Sequence, residues 1–471
     1  MVLRARQLEG LGKEFTGVEL GDARLEARAV RIVERIASAP GESFPKQMAS
    51  TAEREGLYRF FANDSITLDA LMRPHVRQTH ERMRAHGVVR IAHDTTEFAF
   101  EGDREGLGIL SRKTKGFYAH MALAVSGDEI REPLGVLAVR PHVLAGVESR
   151  RGLTPSQRVK VSNAKPRSEK LSSRWECVAK EVEEALPEGV NAIHVMDQEA
   201  DDFALLAALH DAELHFVVRG SADRRIDEGG TIADAMAAAP VHGFRGVLVN
   251  RRSEKIATRR HPRRSERVAS LRIQWTTVTL RRSAIAQTDV DVLRVQVVHV
   301  FEPETPLGEE AIEWTLLTSE PITDLASATA IVDHYRARWV IEEYFKALKT
   351  GCAFEKRQLT TLDALLRALG LFVPAAWRLL TLRTLGRTSP DRPASALFDA
   401  EQLLLLAALL QTRKQALPAA PTVRDAMLAI AALGGHIKNN GDPGWMVLGR
   451  GYVSFLEAEA VWKLARRTDQ S

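Results

Sequence analysis

Two cysteines, Cys177 and Cys352, among 471 residues, with no CxxC pair, leave no material for a disulfide framework or a structural zinc site. A reducing compartment is the expectation. The first residues, Met1-Val2-Leu3-Arg4-Ala5-Arg6-Gln7, hold no apolar leader core, so no signal peptide is visible. The longest purely apolar run, Leu403 to Leu410, is far too short to span a bilayer. The greasier segment Leu362–Leu382 carries Asp363, Arg367 and Arg378 and reads as a core helix, so a cytosolic protein without a membrane partner is expected. Charge of one sign is scarce as well. The net charge is only +4, so composition alone does not announce a nucleic-acid partner and the distribution of charge has to. No glycine-rich phosphate loop argues for ATP. No Ser/His/Asp arrangement, internal repeat or low-complexity tract stands out.

What is present is a set of acids at the ends of apolar runs. Asp94 ends Val88-Val89-Arg90-Ile91-Ala92-His93-Asp94, and Asp197 ends Ala192-Ile193-His194-Val195-Met196-Asp197. Between them, Phe117–Val125 and Leu134–Val143 read as strands joined by a Ser126-Gly127-Asp128 turn, and Lys170–Leu186 as a helix. Helix Asp202–His210 and strand Leu214–Arg219 complete a βββαβαβ order. Hairpin strands followed by crossovers imply a mixed sheet covered by helices. The first and fourth strands can be neighbours in it, which would bring Asp94 and Asp197 together. Before this region, residues 1–75 look helical. Asp22 is a good N-cap for Leu25, Ala29, Ile32, Val33 and Ile36 at helical spacing, with Arg24, Arg28, Arg31 and Arg35 on the other face. That face is as easily a solvated surface as a DNA contact. A second helix starts at Ser50-Thr51.

Residues 240–318 read as a β-rich insertion, with strands Val268–Leu280, Val292–Phe301 and Ile312–Leu317. Its cations, Arg251, Arg252, Lys255, Arg259, Arg260, Arg263, Arg264, Arg267, Arg272, Arg281 and Arg282, outnumber Glu254 and Glu266 and favour phosphate contact. Ser327–Thr350 reads as one long helix. At about 100° per residue, Tyr335, Arg338, Trp339, Glu342, Lys346 and Lys349 then share a stripe about 100° wide, while Glu343 falls off it. A carboxylate among cations and aromatic rings suits a metal-bound phosphodiester and an unstacked base. An amphipathic helix with i,i+4 Glu–Lys pairs is the plainer alternative. Hard divalent ions want oxygen ligands, and a pair of them can clamp both the attacking and the leaving oxygen. His93, His120 and His194 are not needed for that and are expected to be core or supporting residues. Glu97, Glu199, Asp201 and Asp202 read as supporting or capping acids.

The run Tyr335-x2-Arg338-x3-Glu342-x6-Lys349 resembles the YREK signature of the IS4 superfamily of DDE transposases, the Tn5 type. Leu20-Gly21-Asp22-Ala23-Arg24 and Glu55-Gly56-Leu57-Tyr58-Arg59-Phe60 resemble that family's N-terminal DNA-binding segment. His93-Asp94-Thr95-Thr96 resembles its first catalytic strand, and Asp197-Gln198-Glu199-Ala200-Asp201 its DREAD motif, with Gln198 in place of the family arginine. Trp314-Thr315-Leu316-Leu317-Thr318-Ser319-Glu320-Pro321 is similar to the stretch before the YREK helix, and Gly434-Gly435 with Pro443-Gly444-Trp445 to the C-terminal pattern.

The resemblance implies an α/β multidomain protein. Residues 1–75 would be a helical DNA-binding domain. Residues 76–385 would be an RNase H-like catalytic domain interrupted by a β-rich insertion at about 225–318. Residues 396–471 would be a helical dimerisation domain. Asp94, Asp197 and Glu342 would be the catalytic triad holding two Mg²⁺, with Mn²⁺ as a substitute. The family acts as a bacterial, nucleoid-associated cut-and-paste endonuclease and strand-transfer enzyme of transposable elements. Water frees a 3′-OH at the transposon end, that hydroxyl seals a hairpin on the opposite strand, a second water reopens it, and the 3′-OH joins target DNA. Hairpin formation extrudes a base. Trp314 would receive it, Trp339 would wedge into the gap, and Tyr335, Arg338, Lys346 and Lys349 would grip neighbouring phosphates. Arg219 would serve nearby, and Arg24, Arg28 and Arg31 would contact end DNA. The partners implied are transposon-end DNA, target DNA and a second copy in a homodimeric synaptic complex. A non-catalytic repressor or domesticated DNA-binding protein, or a plain RNase H-like nuclease, is the rival.

Overall fold

The computed structural model describes residues 11–38, 42–110, 114–144, 154, 157, 166, 173–249, 263–437 and 441–468. At its centre is a ten-stranded mixed sheet. One half of it comes from β1 (Val88–Phe100), β3 (Lys115–Ser126), β4 (Pro133–His142), β5 (Asn191–Met196) and β6 (Phe216–Arg219), with the two-residue β2 (Gly108–Ile109) beside β3. β3 runs antiparallel to both β1 and β4, and β5 and β6 continue parallel to β1. The order β4-β3-β1-β5-β6 is the RNase H-like arrangement. β10 (Glu313–Thr318) pairs antiparallel with β6, and β9 (Val292–Phe301), β8 (Arg267–Arg281) and β7 (Gly243–Val249) follow outward. The β-rich insertion therefore lengthens the catalytic sheet.

β1 is longer than the apolar run suggests. Beyond Asp94, buried Thr96, Phe98 and Phe100 alternate with more accessible Thr95, Glu97 and Ala99, and pairing with β3 continues to Phe100↔Lys115. The β5 ladder, by contrast, ends at Ala92↔Val195. Asp94 is thus mid-strand, at the point where one neighbouring strand stops. Periodicity does not signal β7, which holds two glycines and buries only Val247 and Val249, or the short helix α7 (Ile232–Ala238).

Four helices precede the sheet: α1 (Ala23–Ser38), α2 (Phe44–Gln47), α3 (Thr51–Phe61) and α4 (Leu68–Met83). Asp22 opens α1 as its spacing predicts, its Oδ1 accepting from Arg24 N at 2.7 Å. Ser50 caps α3 through Glu53 N. α5 (Ser173–Glu184) and α6 (Phe203–Asp211) cover one face of the sheet, where Trp175, Phe203 and Leu206 pack with Met196, Phe216 and Val218. α8 (Leu325–Ala337) covers the other, with Ile331, Val332 and Tyr335 against Val195, Val217, Val298 and Leu316.

The expected single helix over 327–350 is broken. Arg338 N donates to Tyr335 O and Ile341 N to Arg338 O, both at 3.0 Å, so the turn tightens to three-residue spacing and α9 (Trp339–Lys346) begins afresh. Ala347–Gly351 then widens into a π turn. A constant 100° step does not hold across such changes of pitch.

α10 (Leu362–Thr388) is long and apolar enough to cross a membrane by composition, yet 94% of its most apolar window is buried inside the protein. Arg367 on it donates to the carbonyls of Phe61 and Ile66, tying it to the N-terminal helices. With α11 (Ala400–Gln411), α12 (Val423–Leu433) and α13 (Trp445–Thr468) it shares one apolar cluster that also takes in α1, α3 and one face of β1 and β3. The terminal helices and the catalytic sheet therefore have a core in common. Glycines allow the closest approach. A Cβ at Gly451 would lie 1.8 Å from Ile430 O, and one at Gly449 would lie 2.6 Å from Gly351 O.

Candidate active site

Side chains alternate along a strand, and β1 and β5 run parallel in the register Ala92↔Val195. Two residues further on, Asp94 and Asp197 leave adjacent strands on the face that α8 and α9 cover. Asp94 Oδ1 accepts from Thr95 N at 2.7 Å. Asp197 Oδ1 accepts from Glu199 N at 2.8 Å and caps the turn Gln198–Ala200, while Asp202 caps α6 through Ala204 N and Leu205 N. Glu342 comes down from the first turn of α9. Between sheet and helix lies Arg338: Nη1 donates to Asp94 Oδ2 at 2.9 Å and Nη2 to Glu342 Oε1 at 2.7 Å. Its side chain is 5% exposed, against 16% for Asp94 and 33% for Glu342.

The electrostatics are lopsided. Burial pushes the Asp94 carboxyl up to about 7. The Arg338 guanidinium pulls it down, but Asp197 and Glu342 push it further up. Burial alone would lower the Arg338 guanidinium; Tyr335, Glu342 and Asp94 outweigh it and hold it above the usual arginine range. Glu199 is raised as well, by burial and then by Asp197. At Asp94 burial leads, and the two neighbouring acids offset part of what the arginine would take back. Among the described residues no three acid, histidine or cysteine side chains already converge as a ready-made metal cage. The donor set nonetheless fits hard divalent ions: three carboxylates, oxygen only, partly withdrawn from water, with more negative charge than one arginine neutralises.

The other expected contacts distribute unevenly. Tyr335 is 1% exposed and belongs to the core under the site, its ring edge-on to Trp314 at 5.4 Å. It is not on an open stripe. Trp314 is half-buried at the start of β10. Trp339 is 46% exposed, with Arg338 Cζ 5.0 Å from its ring. Lys349, carried by the π turn, donates to Glu97 O at 2.5 Å and lies 5.3 Å from the Phe98 ring, alongside β1 just beyond Asp94. Lys346 points elsewhere, to Glu343 at 2.6 Å, and Glu343 also holds Arg383. Arg219 ends β6, its Nη2 3.5 Å from Glu313 O. Arg24, Arg28 and Arg31 line the outer face of α1, as the spacing predicts.

In the insertion, Arg251, Arg252, Lys255, Arg259 and Arg260 lie outside the described residues. Arg267 pairs with buried Glu302, Arg281 with Asp227 and Arg282 with Asp291, so the free positive charge is smaller than the run of cations suggests. Glu302 and Asp227 sit far along the chain from their arginines, and local counting misses them.

Behind the site, on the opposite face of β1, runs a buried chain. His93 Nε2 and His194 Nδ1 share a hydrogen bond at 2.8 Å, His194 Nε2 meets Glu183 Oε2 at 3.0 Å, and His120 Nδ1 meets Thr95 Oγ1 at 2.9 Å. Burial, then His194 and His120, hold His93 well below the usual imidazole range, and burial takes His120 down to about 3. These rings lock β1 to β3 and β5 from below. The functional feature that sequence reasoning missed is the Arg338 bridge. Its Asp94 partner lies 244 positions away, and no local spacing signals it.

Residues 11–66 match the family model described as Transposase DNA-binding, and residues 174–373 match that described as Transposase DDE domain. The second stretch contains Asp197 and Glu342 and begins after Asp94. Among solved structures, this chain is similar to the cryo-EM structure of the piggyBac transposase synaptic complex with hairpin DNA, at 11% identity over 94% of this chain and 84% of that one. The TM-score is 0.36, a likeness too slight to build on. The two family matches fall where the N-terminal motifs and those of Asp197 and Glu342 stand, and the IS4-superfamily likeness agrees with the second of them: the chain belongs to the DDE-type transposases.

Proposed function

We propose that this transposase cuts and joins DNA by two-metal phosphoryl transfer, excising transposon ends through a hairpin intermediate and joining the 3′-OH to target DNA. The observation that carries this reading is the approach of Asp197 and Glu342 to Asp94 at the open end of the β1–β5 ladder, where Asp94 is pushed up to about 7 despite its contact with Arg338. Asp94, Asp197 and Glu342 would hold two Mg²⁺, or Mn²⁺ in their place. When bound, such ions supply Lewis-acid stabilisation of the attacking and leaving oxygens.

The chain's own residues do the rest. Arg338 and Lys349 bring two cations to the same strip of β1 and bind the phosphates on either side of the scissile bond. The covering helices and the buried histidine layer keep the carboxylates from drifting. Trp314, braced edge-on by Tyr335, offers a half-buried aromatic face to an extruded base, and exposed Trp339 fills the gap that base leaves. Arg24, Arg28 and Arg31 contact end DNA along the outer face of α1, and Arg219 supports the strand beside Trp314. Two copies are required because two ends must be held together, and the C-terminal helices supply the contact between them.

Cleavage of DNA carrying the element's own ends, with Mg²⁺, tests the triad. Asp94→Ala, Asp197→Ala and Glu342→Ala should each reduce nicking by about a thousandfold or more while leaving end binding intact. Undiminished nicking by any one of them removes that residue from the metal site. Trp314→Ala should still nick but form few hairpins, and an unchanged hairpin yield would contradict the base-receiving role.

A further inference from the structure

Arg338 is a buried cation shared by two acids from different elements. Its two terminal nitrogens go to Asp94 on the sheet and Glu342 one turn further along the helix, at 2.9 and 2.7 Å. Its Nε is buried with no hydrogen-bond partner among the described residues, so the guanidinium is held by its fork. A divalent ion binding the same carboxylates needs those oxygens at about 2.1 Å. The oxygens that face Arg338 cannot serve it and an ion in full at once. The way outward passes one ring: Arg338 Cζ lies 5.0 Å from that of half-exposed Trp339, an aromatic face on which a guanidinium can rest, while the Tyr335 ring at 6.0 Å lies beneath it in the core.

We propose that Arg338 is an internal counter-cation that occupies the acid site until divalent ions arrive, competes with them for Asp94 and Glu342, and on displacement turns its fork to a DNA phosphate. This rests on the triad reading above and adds a coupling to it. A phosphate that draws Arg338 away opens the metal site, and an ion that displaces Arg338 frees it for phosphate, so ion and DNA binding reinforce each other. The free protein is thereby kept a poor ion binder and a poor indiscriminate nuclease. Arg338 would act on the ions only by occupying their carboxylates, and on the phosphate as a direct ligand.

The test is Mn²⁺ binding, read by electron paramagnetic resonance on the DNA-free full chain. Arg338→Gln should bind Mn²⁺ about tenfold more tightly than the unaltered protein. Its metal-free melting temperature should be lower and its rise on adding Mn²⁺ larger. The double variant Asp94→Asn with Glu342→Gln should lose Mn²⁺ binding. Equal or weaker binding by Arg338→Gln, with binding lost in the double variant, overturns the competition and leaves the triad standing. Mn²⁺ binding that survives in the double variant overturns the triad itself, and Mn²⁺ bound by neither the unaltered chain nor Arg338→Gln overturns both. If Arg338→Gln does not fold, arginine side-chain nitrogen resonances of the unaltered protein decide. Hindered rotation of the Arg338 guanidinium should be released when Mg²⁺ is added, and a guanidinium that stays locked overturns the proposal.

Discussion

Two buried carboxylates, each touching an arginine, end up on opposite sides of the usual range. Glu14, beneath the N-terminal helices, meets Arg82 Nη1 at 2.8 Å and lies within hydrogen-bond reach of His75 Nδ1. Burial pushes it up, but His75 and Arg82 outweigh that and hold it at about 2. Asp94 meets Arg338 at nearly the same distance and still rises to about 7. Burial is the leading cause at both sites; the company differs. Glu14 is one acid closed off by Arg82 and by His75, an imidazole that burial itself holds below its usual range, and the set fixes helix to helix. Asp94 shares its arginine with Glu342 and feels Asp197 as well, three acids against one bridging cation. The first arrangement is closed by its own side chains; the second leaves room for a further cation.

The contrast can be broken most sharply at the arginines. Arg82→Met leaves Glu14 buried and uncompensated and should cost about 3–5 kcal/mol in urea unfolding at pH 7. Arg338→Met should cost clearly less at pH 6 in the absence of divalent ions, because Asp94 can take up a proton instead. Equal losses would mean that the two sites are alike after all.

The pH dependence of stability should follow with opposite signs. The folded Glu14 carboxyl lies below its unfolded value of 4.5. Its contribution is therefore present above pH 4.5 and is lost as pH falls toward 2. The folded Asp94 carboxyl lies above its unfolded value of 3.8. Its relative stabilisation is complete below 3.8 and is lost as pH rises to about 7. Metal-free unfolding profiles of Glu14→Gln and Asp94→Asn should each lose one of these two slopes and keep the other; slopes of the same sign would refute the assignment. The smallest effect belongs to the insertion. Arg282 and Asp291 are 42% and 77% exposed, so Arg282→Ala should change stability by no more than about 0.5 kcal/mol, and less at high salt.

Sequence periodicity carries far where one residue's neighbours are close in the chain. Asp22 and Ser50 open their helices. The largely apolar run Ala192–Met196 is enough to mark β5, and Asp197 stands at its end. The βββαβαβ order allows the first and fourth expected strands to be neighbours, as they are; their parallel register is set by the fold. The rest is tertiary. β1 runs on past Asp94 because β3 offers partners as far as Lys115. The helix breaks at Arg338 where its guanidinium is committed to Asp94 on the sheet and Glu342 on the next turn. Tyr335 is drawn under the site by Trp314 and the sheet. Arg267 and Arg281 of the insertion meet Glu302 and Asp227, acids far from them along the chain.

Backbone rests on backbone where the last helix crosses the tail of the catalytic one. Gly449 has no room for even a methyl group against Gly351, two positions beyond Lys349, and Gly451 is pressed as hard on Ile430. With no flexible side chain between them to absorb movement, α13 and the π turn shift together. A pull on the last helix is thus passed without slack to the turn that carries Lys349 and, through its bond to Glu97 O, to the strand that holds Asp94.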